Sequence, residues 1–235
     1  GWSTVPQKHM KGRVFWYTQA KVIGGGSSIN AQIYTRGNAR DYDFWAREEG
    51  CEGWSYREVL PYFKRAENNE RYANDYHGYD GPLGVSNPIA PLPICEAYFR
   101  AAQEMGIPFN PDFNGERQDG VGYYQLTQKN ARRSSAAVAY LRPIGDRKNL
   151  TVRSGVLVTR VVVEGGRAVG VEIVDRPGGQ PEILRADTEV IVSSGTIGSP
   201  KLLMQSGIGP ADHLKAVGVK PLHDLPGVGS NFQDH

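Results

Sequence analysis

The chain has 235 residues, of which 39% are hydrophobic and 22% charged, with 29 Gly and 15 Pro; this is the make-up of a turn-rich globular protein and excludes disordered or fibrous classes. Its 27 basic and 25 acidic residues are interspersed and leave a net charge of +2, so the charge pattern offers no grip for nucleic acid or an anionic membrane. No apolar run approaches the ~20 residues of a membrane span, and no secretory signal is present.

The chain opens Gly1-Trp2-Ser3 without an initiator Met and closes on Asn231-Phe232-Gln233-Asp234-His235 directly after a glycine-rich turn. It is expected to be an internal piece of a longer protein. The first element is a strand around residues 13–17. Lys21-Val-Ile-Gly-Gly-Gly-Ser-Ser-Ile-Asn30 follows, with Val22 and Ile23 as a strand end and an apolar-periodic run after the glycines. Ser28 is a suitable cap for a helix over 29–34 that stops near Gly37, because its hydroxyl can accept from a free first-turn amide. A second helix starts at Ser55. Glu58 completes the capping box, and Val59, Leu60 and Phe63 form its apolar face. Pro61 implies a kink or a late start there.

Residues 68–93 read as a long loop interrupted by a strand at 83–86. Residues 95–105 form an amphipathic helix ended by Gly106, 123–127 a strand, and 134–141 a helix closed by Pro143. Two β-branched runs, 156–163 and 168–174, flank Gly165-Gly166 and predict a hairpin. Strands at 183–186 and 188–192 come next, then the small-residue turn Ser193-Ser194-Gly195. Ser199 as cap and Pro200 at the first helical position start a helix through Gln205 that stops at Gly207. Strand, tight turn and helix make the unit in which nucleotide sites are commonly built.

The chemistry legible in these residues is limited. Neither GxGxxG nor GxxxxGK[ST] fits at Gly24–Asn30. Small residues at a helix N-terminus expose backbone N–H groups to an anion, but a tight turn under close packing explains the same pattern. Both readings stay open for the glycines, as they do for Ser193-Ser194-Gly195. Cys51 and Cys95 lack a CxxC spacing and read as free thiols in a reducing compartment. His9, His77, His213, His223 and His235 are scattered with no metal-ligand spacing, and His77 and His213 are expected on the surface. Asp41 and Asp43 are expected to cap the following helix. No G-x-S-x-G elbow is present.

KVIGGGSSINAQIYTRGNARDYDFW (21–45), GWSYREVLPYFKRAENN (53–69), HGYDGPLGVSNP (77–88), GVGYYQLTQKNARRSSAAVAYLRP (120–143), SSGTIGSPKLLMQSGIGP (193–210) and LPGVGSNFQDH (225–235) together resemble the glucose–methanol–choline (GMC) oxidoreductases. The resemblance spans nearly the whole chain in the family's order. It implies a mixed helix-and-strand (α/β, α+β) fold, an FAD/NAD(P)-binding-like domain interleaved with a substrate domain and incomplete at both ends. Residues 1–80 and 144–235 would be parts of the FAD domain and 81–143 the first part of the substrate domain.

Carried over by position, Gly25 and Gly26 would let the cofactor approach the backbone, and Asn30, Ala31, Gln32 and Ile33 would lie at the flavin. Val156 would contact adenine, and Ser194 and Gly195 would lie near the adenosine. Ile29 stands where some members attach FAD through histidine, which implies non-covalent FAD. Tyr17-Thr-Gln-Ala20 departs from the family's commoner Pro-Arg-Gly. The GxGxxG unit and the catalytic histidine with its partner are absent from these residues, so no catalytic or metal-binding residue is assigned to this chain, and the 235 residues alone are expected to retain FAD poorly and not to turn over. The implied activity is oxidation of an alcohol, choline or another primary alcohol, with a quinone or oxygen as acceptor, in a cytoplasmic protein or one peripheral to the inner membrane. The alternative is a truncated, non-catalytic nucleotide-binding or interaction module.

Overall fold

Asn38 starts the first α-helix of the chain: its side-chain oxygen accepts from the Arg40 N–H at 3.0 Å and caps α1, Ala39–Arg47. Asp41 lies in the first turn and Arg47 in the last, matching the helix dipole at both ends. Asp43 reaches forward and accepts from Tyr56 N at 3.1 Å, so it caps the next helix as the sequence suggested. That helix, α2, spans Tyr56–Ala66 and carries the expected capping box, with the Glu58 carboxylate accepting from Ser55 N at 3.1 Å. Pro61 sits inside α2 instead of delaying its start. Tyr42 packs edge-on against Trp45 and Phe63, which joins α1 to α2.

The computed structural model describes residues 1–233; the expectation for His235 lies outside them. Two compact units divide the chain, residues 1–150 and 151–235. In the first, β1 (Trp2–Ser3) pairs with β2 (Trp16–Tyr17), and β3 (Ile33–Tyr34) runs between the glycine turn and α1. After α2 come β4 (Glu67–Asn69) and its parallel partner β5 (Leu83–Val85), then α3 (Pro93–Glu104). Gly106, at φ +86°, ends α3. Phe99 and Ala102 of α3 are buried against Val121, with Tyr123 and Cys95 closing the cluster. Next are β6 (Gln125–Leu126), which pairs antiparallel with β3, and the hairpin of β7 (Gln128–Lys129) with β8 (Arg132–Arg133).

The second unit holds β9 (Leu157–Glu164), β10 (Arg167–Val174) and β11 (Glu182–Arg185) in an antiparallel sheet ordered β11–β10–β9. Gly165 and Gly166, at φ +58° and +79°, make the turn that their sequence predicted. α4 (Gly195–Gln205) packs on β9 through Ser206, whose hydroxyl accepts from Val161 N at 2.7 Å and donates to the Leu202 carbonyl at 2.6 Å. β12 (Ile208–Gly209), α5 (Ala211–Ala216) and β13 (His223–Asp224) form a small parallel crossover with Leu214 fully buried.

Five sequence expectations are corrected here. Residues 29–34 are not a helix: Gln32 adopts φ +67°, which breaks helical geometry, and Ile33 pairs with Leu126. The 123–127 strand is confined to β6, and 134–141 narrows to a π-helical turn over Ala137–Leu141. Residues 188–192 have no strand partner among the described residues, and Ile191 is 77% exposed. An extended segment without a neighbour has no ladder to join. Finally, Ser199-Pro200 does not start α4, which begins at Gly195; the Ser199 hydroxyl instead accepts from Ser194 N at 3.0 Å, with Pro200 in the second turn.

Candidate functional site

The turn Gly25–Ser28 is a short 3-10 helix. Gly24, at φ +92°, has no room for a side chain: a Cβ there would meet Ser28 Oγ at 2.4 Å and the Ala137 side chain at 3.1 Å. Gly25 and Gly26 differ, since a Cβ on either would meet nothing within 4 Å. One glycine therefore packs the turn against the protein, and the next two leave a bare, open backbone face. Ser27 Oγ donates to the Gly24 carbonyl at 2.5 Å and accepts from Ala136 N at 2.9 Å. Ser28 does not cap a helix; its hydroxyl donates back to the Ile23 carbonyl at 2.9 Å.

Asn30, Ala31 and Ile33 are exposed, and Gln32 is half-buried. Gln32 is clamped to the strand region opposite: Thr127 N donates to its carbonyl at 2.8 Å, and Gln128 Nε2 donates to its Oε1 at 3.2 Å. The structure thus brings Gly25, Gly26, Asn30, Ala31, Gln32 and Ile33 onto one short, braced segment. In the second unit, Val156 immediately precedes β9. Ser194 and Gly195 lie exposed at the N-terminus of the eleven-residue α4, whose first turn carries no acidic residue. Backbone N–H groups at such an end attract an anion.

A buried polar cluster gathers around Arg36, and sequence reasoning missed it. His77, expected on the surface, is 1% exposed. Its Nδ1 lies 2.9 Å from Glu67 Oε1 and its Nε2 2.9 Å from Asp112 Oδ2. Arg36, two residues beyond β3, donates from Nη2 to Glu67 Oε2 at 2.8 Å and from Nη1 to the Tyr76 carbonyl at 2.7 Å. Asn69 donates to Glu67 Oε1 at 2.8 Å.

Burial opposes charge on His77, but the hydrogen bonds and charges of Asp112 and Glu67 outweigh it and raise its pKa from 6.5 to about 9. Glu67 and Asp112 are likewise opposed by burial and held below their ordinary values by His77. The surface expectation failed because flanking Tyr, Asn and Asp residues made the segment look solvated. The Gly78 that follows was the available signal, because a Cβ there would meet the Lys64 carbonyl oxygen at 1.8 Å. His213 is exposed, as expected. Cys51 and Cys95 are free thiols. Among the described residues, no group of His, Cys, Asp and Glu is arranged to hold a metal, and no helix is long and apolar enough to cross a membrane.

The family model described as GMC oxidoreductase matches residues 5–235. The chain belongs to the GMC oxidoreductase family. It is 47% identical over all 235 residues to an oxygen-dependent choline dehydrogenase of Brucella anthropi, and 47% identical over 232 residues to the mitochondrial choline dehydrogenase of Homo sapiens. It covers 42% and 39% of those two proteins. Among solved structures, an FAD-dependent oxidoreductase from Chaetomium thermophilum superposes with a TM-score of 0.93 at 32% identity, over 100% of this chain and 42% of that one. The pyridoxine 4-oxidase from Mesorbium loti gives 0.88 at 34% identity, over 96% and 44%. GMC oxidoreductases are FAD-dependent enzymes. The bare faces of Gly25 and Gly26 and the exposed Asn30, Ala31 and Ile33 leave backbone that a large cofactor of that kind can approach.

Proposed function

We propose that this chain is a portion of an FAD-dependent oxidoreductase that oxidises an alcohol, with choline or another primary alcohol as donor. The observation that carries the reading is the glycine turn: Gly24 is packed solid, whereas Gly25 and Gly26 present open backbone beside Asn30. Support for the substrate class comes from the relatives named above, two of which are called choline dehydrogenases. Gly25, Gly26, Asn30, Ala31, Gln32 and Ile33 line the flavin side, and Val156, Ser194 and Gly195 the adenosine side. Residues 1–80 and 144–235 contribute to the FAD domain and 81–143 to the substrate domain.

When bound, FAD supplies a hydride acceptor at its N5 position, which a quinone or oxygen then reoxidises. This chain's own contribution is to bind and orient the cofactor. Ile29 occupies the site where a histidine would tether FAD, so the cofactor is held without a covalent bond. The test uses the full-length protein: acid precipitation releases all flavin to the supernatant, and dye reduction is screened across choline and other primary alcohols. A colourless protein that takes up no FAD overturns the reading.

A further inference from the structure

Arg133, the last residue of β8, reaches across the sequence to the glycine turn. Its Nη1 donates to the Ser27 carbonyl at 3.1 Å, the Asn30 carbonyl at 2.9 Å and Asn30 Oδ1 at 2.8 Å. A second donor converges on the same Oδ1, the Gln32 N–H at 3.2 Å. A side-chain amide has one accepting oxygen and one NH₂ group that only donates, so the group bonded by two donors must be the oxygen. The oxygen of Asn30 is therefore turned toward the protein. Its Nδ2 has no hydrogen-bond partner among the described residues and lies on an exposed side chain.

The anchor is firm. β7 and β8 are joined by Asn130 and Ala131, both with positive φ, +50° and +59°, as a tight two-residue hairpin turn requires. The next residue, Ser134, is buried; its N–H donates to the Thr127 carbonyl at 2.9 Å and its hydroxyl accepts from Gly84 N at 3.0 Å. Arg133 thus projects from backbone fixed on both sides. A cation bonded to the amide oxygen also polarises the group and strengthens its N–H bonds as donors.

We propose that Arg133 is a positioning residue that acts through Asn30, fixing the amide so that Nδ2 is presented as a donor to an acceptor atom of the flavin ring system. This rests on the flavin-side reading of the turn given above. Asn30 then recognises a carbonyl oxygen or unprotonated ring nitrogen, and a group that can only accept is the wrong occupant of position 30.

The test is a double-mutant cycle in the full-length protein, read on bound flavin as well as on turnover. Arg133→Met and Asn30→Ala are each expected to weaken FAD binding about tenfold, a loss of ~1.4 kcal/mol, and to shift the flavin absorbance bands and midpoint potential. The double variant should lose no more than the worse single variant, because Arg133 acts through Asn30. Asn30→Asp, which has no N–H to offer, should behave like Asn30→Ala. If Arg133→Met does not fold, Arg133→Lys replaces it in the cycle; the lysine keeps the charge on a shorter reach that cannot bridge Ser27 and Asn30. Additive losses, or an Asn30→Asp protein with wild-type bands and affinity, overturn the inference while leaving the flavin reading intact. A wild-type protein that binds no FAD overturns both.

Discussion

His77 has both ring nitrogens engaged by carboxylates inside the protein, and its behaviour with pH follows. Its folded pKa of about 9 lies above the ordinary value of 6.5, so the folded state binds the proton more tightly than the unfolded chain. Its contribution to stability is fully present below about 6.5, shrinks as pH rises, and is lost above about 9. Glu67 and Asp112, held below their ordinary values, act oppositely and lose their contribution as pH falls through their lowered pKa values. Denaturant unfolding of the full-length protein at pH 6, 8 and 10 should therefore show an alkaline decline. His77→Gln should remove that decline and cost about 3 kcal/mol or more at pH 6, because Glu67 and Asp112 then face each other without the intervening cation. A flat wild-type profile between pH 6 and 10 contradicts this account. Ala131 carries a second residue-scale expectation. Its φ of +59° is a conformation that a Cβ disfavours by roughly 1–2 kcal/mol. Ala131→Gly should raise the denaturation midpoint by an amount corresponding to about 1 kcal/mol.

Among the elements, those whose stability is local were legible and those defined by distant partners were not. α2 was read from Ser55 and Glu58 because a capping box is complete within four residues. The β9–β10 hairpin was read from Gly165-Gly166 because the turn is local and sets the first pair, Glu164 with Arg167. The β7–β8 hairpin went unread: its turn is Asn130-Ala131, where Ala replaces the Gly that marks such loops. Residues 29–34 misled because Ile29 and Ile33 have helical spacing, whereas their backbone is committed to Leu126 and Arg133, about a hundred residues away. α4 misled because Ser-Pro imitates a helix start inside a helix already running. The same helix depends on one hydroxyl at its far end. Ser206→Ala leaves the Val161 N–H buried and unpaired and should cost about 1–3 kcal/mol. Hydrogen exchange should show faster exchange at Val161, and an unchanged rate there would mean that another group satisfies it.

At the scale of the molecule, the family and its cofactor were carried by motifs spread along the chain, but the buried cluster around His77 was not. Arg36, Glu67, His77 and Asp112 are far apart in sequence and meet only in the folded unit. That cluster bears on catalysis by exclusion. A base that takes a hydroxyl proton must be unprotonated at working pH and reach the substrate. His77 is buried, protonated to about pH 9, and has no free ring nitrogen. His9, His213 and His223 are exposed and dispersed. Under the proposed alcohol oxidation, no described histidine is poised as the base, and the prediction is that residues outside 1–233 supply it. The 235 residues expressed alone should give a folded circular-dichroism spectrum but no alcohol-dependent dye reduction, even with FAD added. The full-length protein, assayed in parallel with the same alcohols, should reduce the dye. Turnover by the 235 residues alone would place a base within them and overturn the exclusion.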